Sequence, residues 1–162
     1  MVEVLSNPGV ERVRAALAAA GVAARIVELP GAARTAKDAA RYLGCDIGQI
    51  AKSLVFRGRV SRNPILVITS GANRVNEAAL AQRIGEPIER ADADFVREAT
   101  GFAIGGVPPL CHSSRLATYF DEDLLPYPTI WAAAGTPHAL FEIDPAELMR
   151  VCEATAVSVK GQ

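Results

Sequence analysis

Apolar residues recur at helical spacing in five parts of the chain. Val10, Val13 and Leu17 lie on one face of a predicted helix that Asn7-Pro8 opens and Gly21 ends. Four further helices are predicted on the same grounds: Thr35 to Gly44, where Asp38 completes a capping box, Val75 to Gly85, Asp92 to Gly101, and Asp144-Pro145 through Val151.

Apolar runs bounded by Gly, Pro and Asn predict the strands of a sheet. The predicted strands are Arg25–Leu29, Lys52–Arg57, Ile65–Thr69, Ala117–Phe120, Thr129–Ala133, Ala139–Ile143 and, at an edge, Val157–Val159. The polar turn at Gly58–Asn63 makes the second and third of these a hairpin. Because helices and strands are mixed irregularly, we expect an α/β fold with a mixed, largely antiparallel sheet and helices packed outside it, rather than a doubly wound parallel sheet.

The composition is typical of a globular protein, and the charge excludes one class of partner. With 162 residues, half of them hydrophobic and 22% charged, the chain is expected to form one domain over residues 1–162. No apolar stretch reaches the ~18–20 residues of a membrane span, and the first residues lack the pattern of a secretory signal. Cys45, Cys111 and Cys152 are an odd, widely spaced set, which indicates reduced thiols in the cytoplasm. The net charge of −1 argues against a general DNA-binding protein, so that any RNA contact must be local.

The familiar motifs for nucleotide, metal and nucleophile chemistry are absent. The sequence has no Walker loop and no GxGxxG, HExxH, CxxC or GxSxG pattern. His112 and His138 lack other ligands at metal-binding spacing, so no metal site is expected. Cys111 and His112 are adjacent, and adjacent residues of an extended chain point to opposite sides. A thiol buried beside a loop histidine is therefore favoured over a catalytic dyad.

A lysine and a glycine loop remain as candidates for chemistry. Lys52 opens an apolar strand, and its ammonium group could lie at one end of the sheet or could simply reach solvent. Gly105-Gly106 can bring backbone N–H groups close to a carbonyl or phosphate oxygen, and Pro108-Pro109 stiffens the segment that follows. A plain connecting loop is the alternative for this segment. The turns at Ser70-Gly71 and at Gly135–His138, and Arg74 as a phosphate contact, are weaker candidates on their own.

Taken together, these segments resemble the YbaK-like family, which includes free-standing proteins and domains inserted in prolyl-tRNA synthetases. The resemblance rests on Ala51–Phe56, on Gly101–Pro109 followed by His112, and on Ala134-Gly135 in that order, and it runs from about Ile26 to Val157. It implies one α/β domain whose mixed sheet curls towards a barrel. It also implies hydrolysis of the ester between an amino acid and the terminal adenosine of tRNA, most often tRNA for proline charged with cysteine or alanine, without metal or organic cofactor.

The resemblance assigns roles to particular residues. Lys52 is implied to bind the phosphate or ribose near the scissile ester, and the backbone of Gly105–Pro109 is implied to hold the aminoacyl group. Lys52 and Gly105 are thus the catalytic candidates, and the substrate-binding candidates are Gly106, Pro108, Pro109, His112, Gly135, His138, Ser70 and Gly71. The chain departs from its relatives at Cys111, where glycine is frequent, and at Thr136-Pro137-His138, where a lysine or arginine is frequent.

Two functions follow from this pattern. The first is an aminoacyl-tRNA deacylase that acts in trans, binds the 3′ end of aminoacyl-tRNA and works beside prolyl-tRNA synthetase in the cytoplasm, with no membrane or DNA partner. The alternative is a non-catalytic module that binds tRNA or a synthetase with the same pocket. Because an aminoacyl ester is already activated, hydrolysis needs a positioned water and a stabilised oxyanion rather than a strong nucleophile.

Overall fold

A computed structural model describes residues 2–3, 7–31 and 33–161 of the chain. The helices are α1 (Pro8–Ala19), α2 (Ala36–Leu43), α3 (Glu77–Ile84), α4 (Ala93–Thr100) and α5 (Pro145–Val151), with short 3-10 turns at Ile47–Gln49 and Glu122–Leu124. The strands are β1 (Val2–Glu3), β2 (Ile26–Glu28), β3 (Ile50–Gly58), β4 (Pro64–Ser70), β5 (Ile88–Arg90), β6 (Ala117–Asp121), β7 (Ile130–Ala133), β8 (Ala139–Ile143) and β9 (Thr155–Val157).

All nine strands belong to one sheet. Its order is β1-β2-β8-β7-β3-β4-β6-β9, and β5 pairs separately with β3. Five pairs are antiparallel, and the pairs β3–β7, β4–β6 and β6–β9 are parallel. The mixed, largely antiparallel sheet predicted from the sequence is confirmed, and within the described residues it does not close on itself.

The helix boundaries follow the capping signals in the sequence. Asn7 accepts hydrogen bonds from the backbone of Gly9 and Val10 at the start of α1. The Thr35 hydroxyl accepts from the Asp38 N–H, whereas the Asp38 carboxylate accepts from the N–H of Arg34. This satisfies backbone donors that the first turn of a helix would otherwise leave unpaired.

The strands depart from the prediction at three places: β1 and β5 were not predicted, β3 begins two residues before Lys52, and the last strand is shifted. The last strand spans Thr155–Val157, two residues before the predicted Val157–Val159. Val159 is nevertheless buried, and its carbonyl oxygen accepts a hydrogen bond from Asn76. An apolar residue was thus read as a strand residue although it packs as part of a loop, since burial alone does not distinguish the two.

Three hydrophobic clusters surround the sheet. The largest includes α1 residues such as Val10 and Leu17 together with Phe120 and Phe141. A second is built around Trp131 and α2, and a third around Phe56 and α3. Among the described residues, no helix combines the length and apolarity needed to cross a bilayer. That residues 1–162 form a single domain stays a prediction.

Candidate functional site

The candidate site lies at a gap along one edge of β3. Strand β7 pairs with β3 only at Ile50 and Ala51, and β5 pairs with it only from Phe56 onwards. The segment of β3 between these two pairings therefore has a neighbouring strand, β4, on one edge only. A cavity opens at this gap, and its lining includes Lys52 and Ser53.

The cavity is small and mostly apolar. Its volume is about 310 Å³. The apolar part of its lining comes from β3, α2, α4, the second hydrophobic cluster, the segment that contains Gly105, and the ends of β5 and β7 with the turn after β7. The apolar lining residues are Leu29, Ala33, Ala36, Ala39, Ile50, Ala51, Leu54, Val55, Ala91, Val96, Ile104, Val107, Ala133, Pro137 and Leu140. Six alanines leave room for a ligand where larger side chains would fill the space.

The charged groups of the cavity all carry the same sign. Arg34, Lys52 and Arg90 line it, and its lining holds no Asp, Glu, His or Cys. Burial lowers the pKa of Lys52, and the positive charges of Arg90 and Arg74 lower this pKa further. In the part of the chain that the structure describes, none of these cations forms an ion pair with a carboxylate. The cluster is thus suited to receive an anion.

A second, more polar cleft adjoins the cavity. It has a volume of about 580 Å³ and shares Lys52, Leu54 and Arg90 with the cavity. Asn73 and Arg74 line its other side, and Glu77 is the one carboxylate in its lining. Lys52 and Arg90 therefore stand at the junction of an apolar chamber and a basic cleft.

The turn that carries Arg74 is fixed by a buried carboxylate. Asp121 is fully buried, and its Oδ2 accepts hydrogen bonds from the Ser70 N–H at 2.9 Å and from Asn73 Nδ2 at 2.8 Å. The Ser70 hydroxyl donates to the carbonyl oxygen of Gly48 at 2.8 Å. Ser70 is therefore a support for this turn and does not line the cavity, whereas Gly71 lines the adjoining cleft.

The glycine loop reaches the cavity from the opposite side. Gly105 lines the cavity with a φ of +90°, in the left-handed region that favours glycine. A Cβ on Gly106 would lie 2.9 Å from the carbonyl carbon of Thr136 and 3.0 Å from Pro137 N. The absence of a side chain at Gly106 thus lets the loop pack on the turn that brings Pro137 into the cavity.

The remaining residues of the second turn lie behind the cavity. A Cβ on Gly135 would lie 2.6 Å from the carbonyl oxygen of Gly9, so Gly135 packs on the first turn of α1. The carbonyl oxygen of His138 accepts a hydrogen bond from Leu29 at 2.8 Å. Neither Gly135 nor His138 lines the cavity.

His112 and the prolines belong to other surroundings. Pro108 is buried, and its carbonyl oxygen pairs with His112 Nε2 at 2.7 Å. Pro109 and His112 line a separate cleft of about 790 Å³, together with Cys111 and Cys152. Burial raises the pKa of Cys111 to about 11 and that of Cys152 to about 12, which keeps both thiols protonated near neutral pH.

The structure thus brings together Lys52 and Gly105, with Gly106 and Gly71 adjoining them. It does not bring Ser70, Pro108, Pro109, His112, Gly135 or His138 into the cavity, and a direct contact of these six with substrate stays a prediction.

Sequence reasoning missed three residues that line the cavity: Arg34, Ser53 and Arg90. Arg90 gave no signal because the pairing of β5 with β3, which places it beside Lys52, is a long-range contact. Among the described residues, no group of three His, Cys, Asp or Glu side chains could hold a metal ion.

Comparison with known proteins identifies the family. A sequence model of the aminoacyl-tRNA editing domain matches residues 31–151. A crystal structure described as that of a proposed trans-editing enzyme for prolyl-tRNA synthetase is similar, with a TM-score of 0.91, 45% sequence identity, and coverage of 96% of this chain and 99% of that one. The crystal structure of the hypothetical protein APE2540 matches with a TM-score of 0.84 and 28% identity over 91% of this chain and 98% of that one.

A curated relative supports the same assignment. The uncharacterized protein YwhH of Bacillus subtilis (strain 168) is 30% identical over 123 residues, which are 76% of this chain and 78% of that protein. The family match covers most of the chain and includes Lys52, Gly105 and the other residues of the cavity except Leu29. The chain therefore belongs to the aminoacyl-tRNA editing domain family and is an aminoacyl-tRNA deacylase with the YbaK-like fold.

Proposed function

We propose that this protein acts in trans on tRNA for proline that carries cysteine or alanine, and that it hydrolyses the aminoacyl ester in the cavity beside Lys52. One observation carries the proposal: a small apolar cavity and a basic cleft meet at Lys52, Leu54 and Arg90. An aminoacyl-tRNA 3′ end has the same two parts, a small amino acid and a chain of phosphates.

The basic cleft is the proposed site of the RNA end. Lys52, Arg74 and Arg90 supply positive charge without an ion-pair partner among the described residues, and phosphate groups would supply the missing negative charge. The net charge of −1 gives the protein no general attraction for RNA. Recognition therefore depends on this local cluster, and delivery by prolyl-tRNA synthetase would compensate for a weak affinity.

The cavity is the proposed site of the amino acid. A volume of about 310 Å³ is at the lower end of the range for small-molecule sites. The apolar walls suit the side chain of alanine or cysteine. A structural neighbour's description as a proposed trans-editing enzyme for prolyl-tRNA synthetase supports tRNA for proline as the RNA.

The proposed reaction uses water as the nucleophile. The water oxygen adds to the carbonyl carbon of the ester, the bond from that carbon to the ribose oxygen breaks, and the ribose oxygen takes up a proton. Lys52 holds the ribose or phosphate next to this bond, and the backbone N–H of Gly105 stabilises the oxyanion. Because the cavity lining holds no Asp, Glu, His or Cys, a group of the substrate, the neighbouring ribose hydroxyl or a cysteine thiol, assists the proton transfer.

Deacylation of a defined panel tests this function. The substrates are tRNA for proline charged separately with alanine, cysteine, serine and proline, and the measurement is release of labelled amino acid over many turnovers. We expect fast release of alanine or cysteine and little release of proline. If no substrate is hydrolysed while binding of the charged tRNA persists, the non-catalytic module would be the correct alternative.

A further inference from the structure

Ser53 carries a buried polar atom that the protein itself leaves unused. Its hydroxyl oxygen is buried and has no hydrogen-bond partner, and among the described residues no other buried side-chain oxygen or nitrogen is in this position. A buried hydroxyl without a partner costs free energy, and native proteins rarely keep one without a reason. The position of Ser53 in the cavity lining suggests that the reason is a ligand.

Ser53 lies in the part of β3 that lacks a partner strand on one edge, and it lines the cavity. It lies midway between Ala51, where pairing with β7 ends, and Val55, the residue before pairing with β5 begins. By the alternation of a strand, its side chain lies on the same face as those of Ala51 and Val55. Both of these line the cavity, and so do Lys52 and Leu54 of the opposite face, which makes the whole segment around Ser53 part of its wall.

The substrate brings one polar group that must be accommodated in this chamber. Apart from the ester itself, an alanyl ester has only its α-amino group as a hydrogen-bonding atom, and burying that group without a partner would cost free energy. The cavity offers it no carboxylate, because its charged lining residues are Arg34, Lys52 and Arg90. In this cavity the hydrogen bond from the α-amino group must therefore be accepted by an uncharged oxygen, such as that of a hydroxyl group, rather than by a carboxylate.

We propose that Ser53 is a substrate-binding residue whose hydroxyl oxygen accepts a hydrogen bond from the α-amino group of the aminoacyl ester. This inference rests on the proposed function and adds the recognition of the amino group to it. The contact fixes the ester carbonyl between Lys52 and Gly105, which line the same cavity. It also gives a reason to retain an unpaired hydroxyl in the free protein.

A substrate lacking the amino group separates this role from a structural one. Wild type, Ser53→Ala and Ser53→Thr are compared on tRNA for proline charged with alanine and on the same tRNA carrying a propionyl ester, which is alanine without its amino group. For Ser53→Ala we expect kcat/KM to fall about tenfold on the alanyl ester and to stay unchanged on the propionyl ester. Ser53→Thr, which keeps the hydroxyl, should restore most of the alanyl activity.

Thermal unfolding supplies an independent readout. Removing an unpaired buried hydroxyl should leave the midpoint of Ser53→Ala equal to or above that of wild type. Equal losses on the alanyl and propionyl esters, or full activity of Ser53→Ala on both, would overturn the role of Ser53 while leaving the deacylase proposal intact. Absence of alanyl and cysteinyl release by the wild type would instead contradict the proposed function itself.

Discussion

The Nε2 atom of His112 lies 2.7 Å from the carbonyl oxygen of Pro108. Because a carbonyl oxygen can only accept, Nε2 must carry the proton of this hydrogen bond. The bond connects His112, outside the cavity, to the loop that places Gly105 inside it. We propose that His112 positions this loop.

Replacing His112 should make the loop that carries Gly105 less well fixed, without removing any residue that lines the cavity. For His112→Ala we expect a loss of about 1 kcal/mol in the free energy of unfolding, the usual net value of one hydrogen bond, together with a lower kcat. His112→Gln keeps a donor and should recover part of both. Denaturant unfolding and single-turnover deacylation measure the two effects, and unchanged values in His112→Ala would contradict the positioning role.

The pH dependence of stability should also involve His112. Burial lowers the pKa of its imidazole in the folded state below the ordinary value of 6.5. As the pH is lowered, the unfolded chain therefore takes up a proton at this imidazole at a higher pH than the folded protein does. The free energy of unfolding is thus highest above pH 6.5 and falls as the pH decreases towards the folded-state pKa. Between about pH 7 and pH 5, wild type should lose more free energy of unfolding than His112→Gln. Parallel curves for the two proteins would argue against this linkage.

Lys52 should be required for activity and dispensable for folding. Lys52→Met keeps the apolar stem of the side chain and removes its amino group. The pKa of this amino group is lowered by burial and by the positive charges of Arg90 and Arg74. We expect the rate of deacylation to fall by about two orders of magnitude, which is typical for the loss of one group that stabilises charge in a transition state. The midpoint of thermal unfolding should be equal to or above that of wild type. Lys37→Met is the matched control, since Lys37 is exposed on α2 and outside the cavity. Near-normal activity of Lys52→Met would remove Lys52 from the mechanism.

The two arginines of the basic cleft should act on the RNA and not on the ester. Arg74→Gln and Arg90→Gln are expected to raise KM for aminoacyl-tRNA and to reduce the salt dependence of binding, by a slope of about 0.7 for each phosphate contact to a single strand. The small substrate 3′-O-alanyl-adenosine lacks these phosphates, and its hydrolysis should change little. Arg83→Gln is the control, because Arg83 is exposed and lies outside both the cavity and the basic cleft. A loss on the adenosine ester as large as that on tRNA would show that the arginines act at the ester.

Alanine should destabilise the protein at each of the two adjacent glycines of the loop, for different physical reasons. Gly105→Ala meets open space but strains a backbone with a φ of +90°, at a cost of about 1–2 kcal/mol. The added methyl group of Gly106→Ala pushes against the backbone of Thr136 and Pro137. Such overpacking usually lowers the free energy of unfolding by about 1–3 kcal/mol. Gly31→Ala, with no atom within 4 Å of the added carbon, is the control. Denaturant unfolding measures all three, and a Gly106→Ala protein as stable as Gly31→Ala would contradict the tight packing of this loop.

The sequence by itself determined the five helices and seven of the nine strands, and it identified Lys52 and Gly105 as the candidates for chemistry. Local signals, such as the Asn7 cap and the glycines that end three of the helices, act within a few residues, so α1, α2, α3 and α4 were found close to their observed ends. Lys52 and Gly105 were found from an unusual residue in an apolar strand and from a glycine–proline segment. Family resemblance then connected these two segments to one reaction.

Only the tertiary structure decided which residues share the cavity. The parallel pairing of β3 with β7 and the late pairing of β5 with β3 create the gap at Ser53, and both depend on contacts between residues thirty or more positions apart. The same long-range pairing brings Arg90 beside Lys52. His112 and Ser70 lie outside the cavity, where His112 Nε2 pairs with the carbonyl oxygen of Pro108 and the Ser70 hydroxyl donates to that of Gly48, so their predicted contact with substrate stays a prediction. Short-range patterns specify turns and caps, whereas the chemistry of a pocket depends on strand pairing that no local pattern encodes.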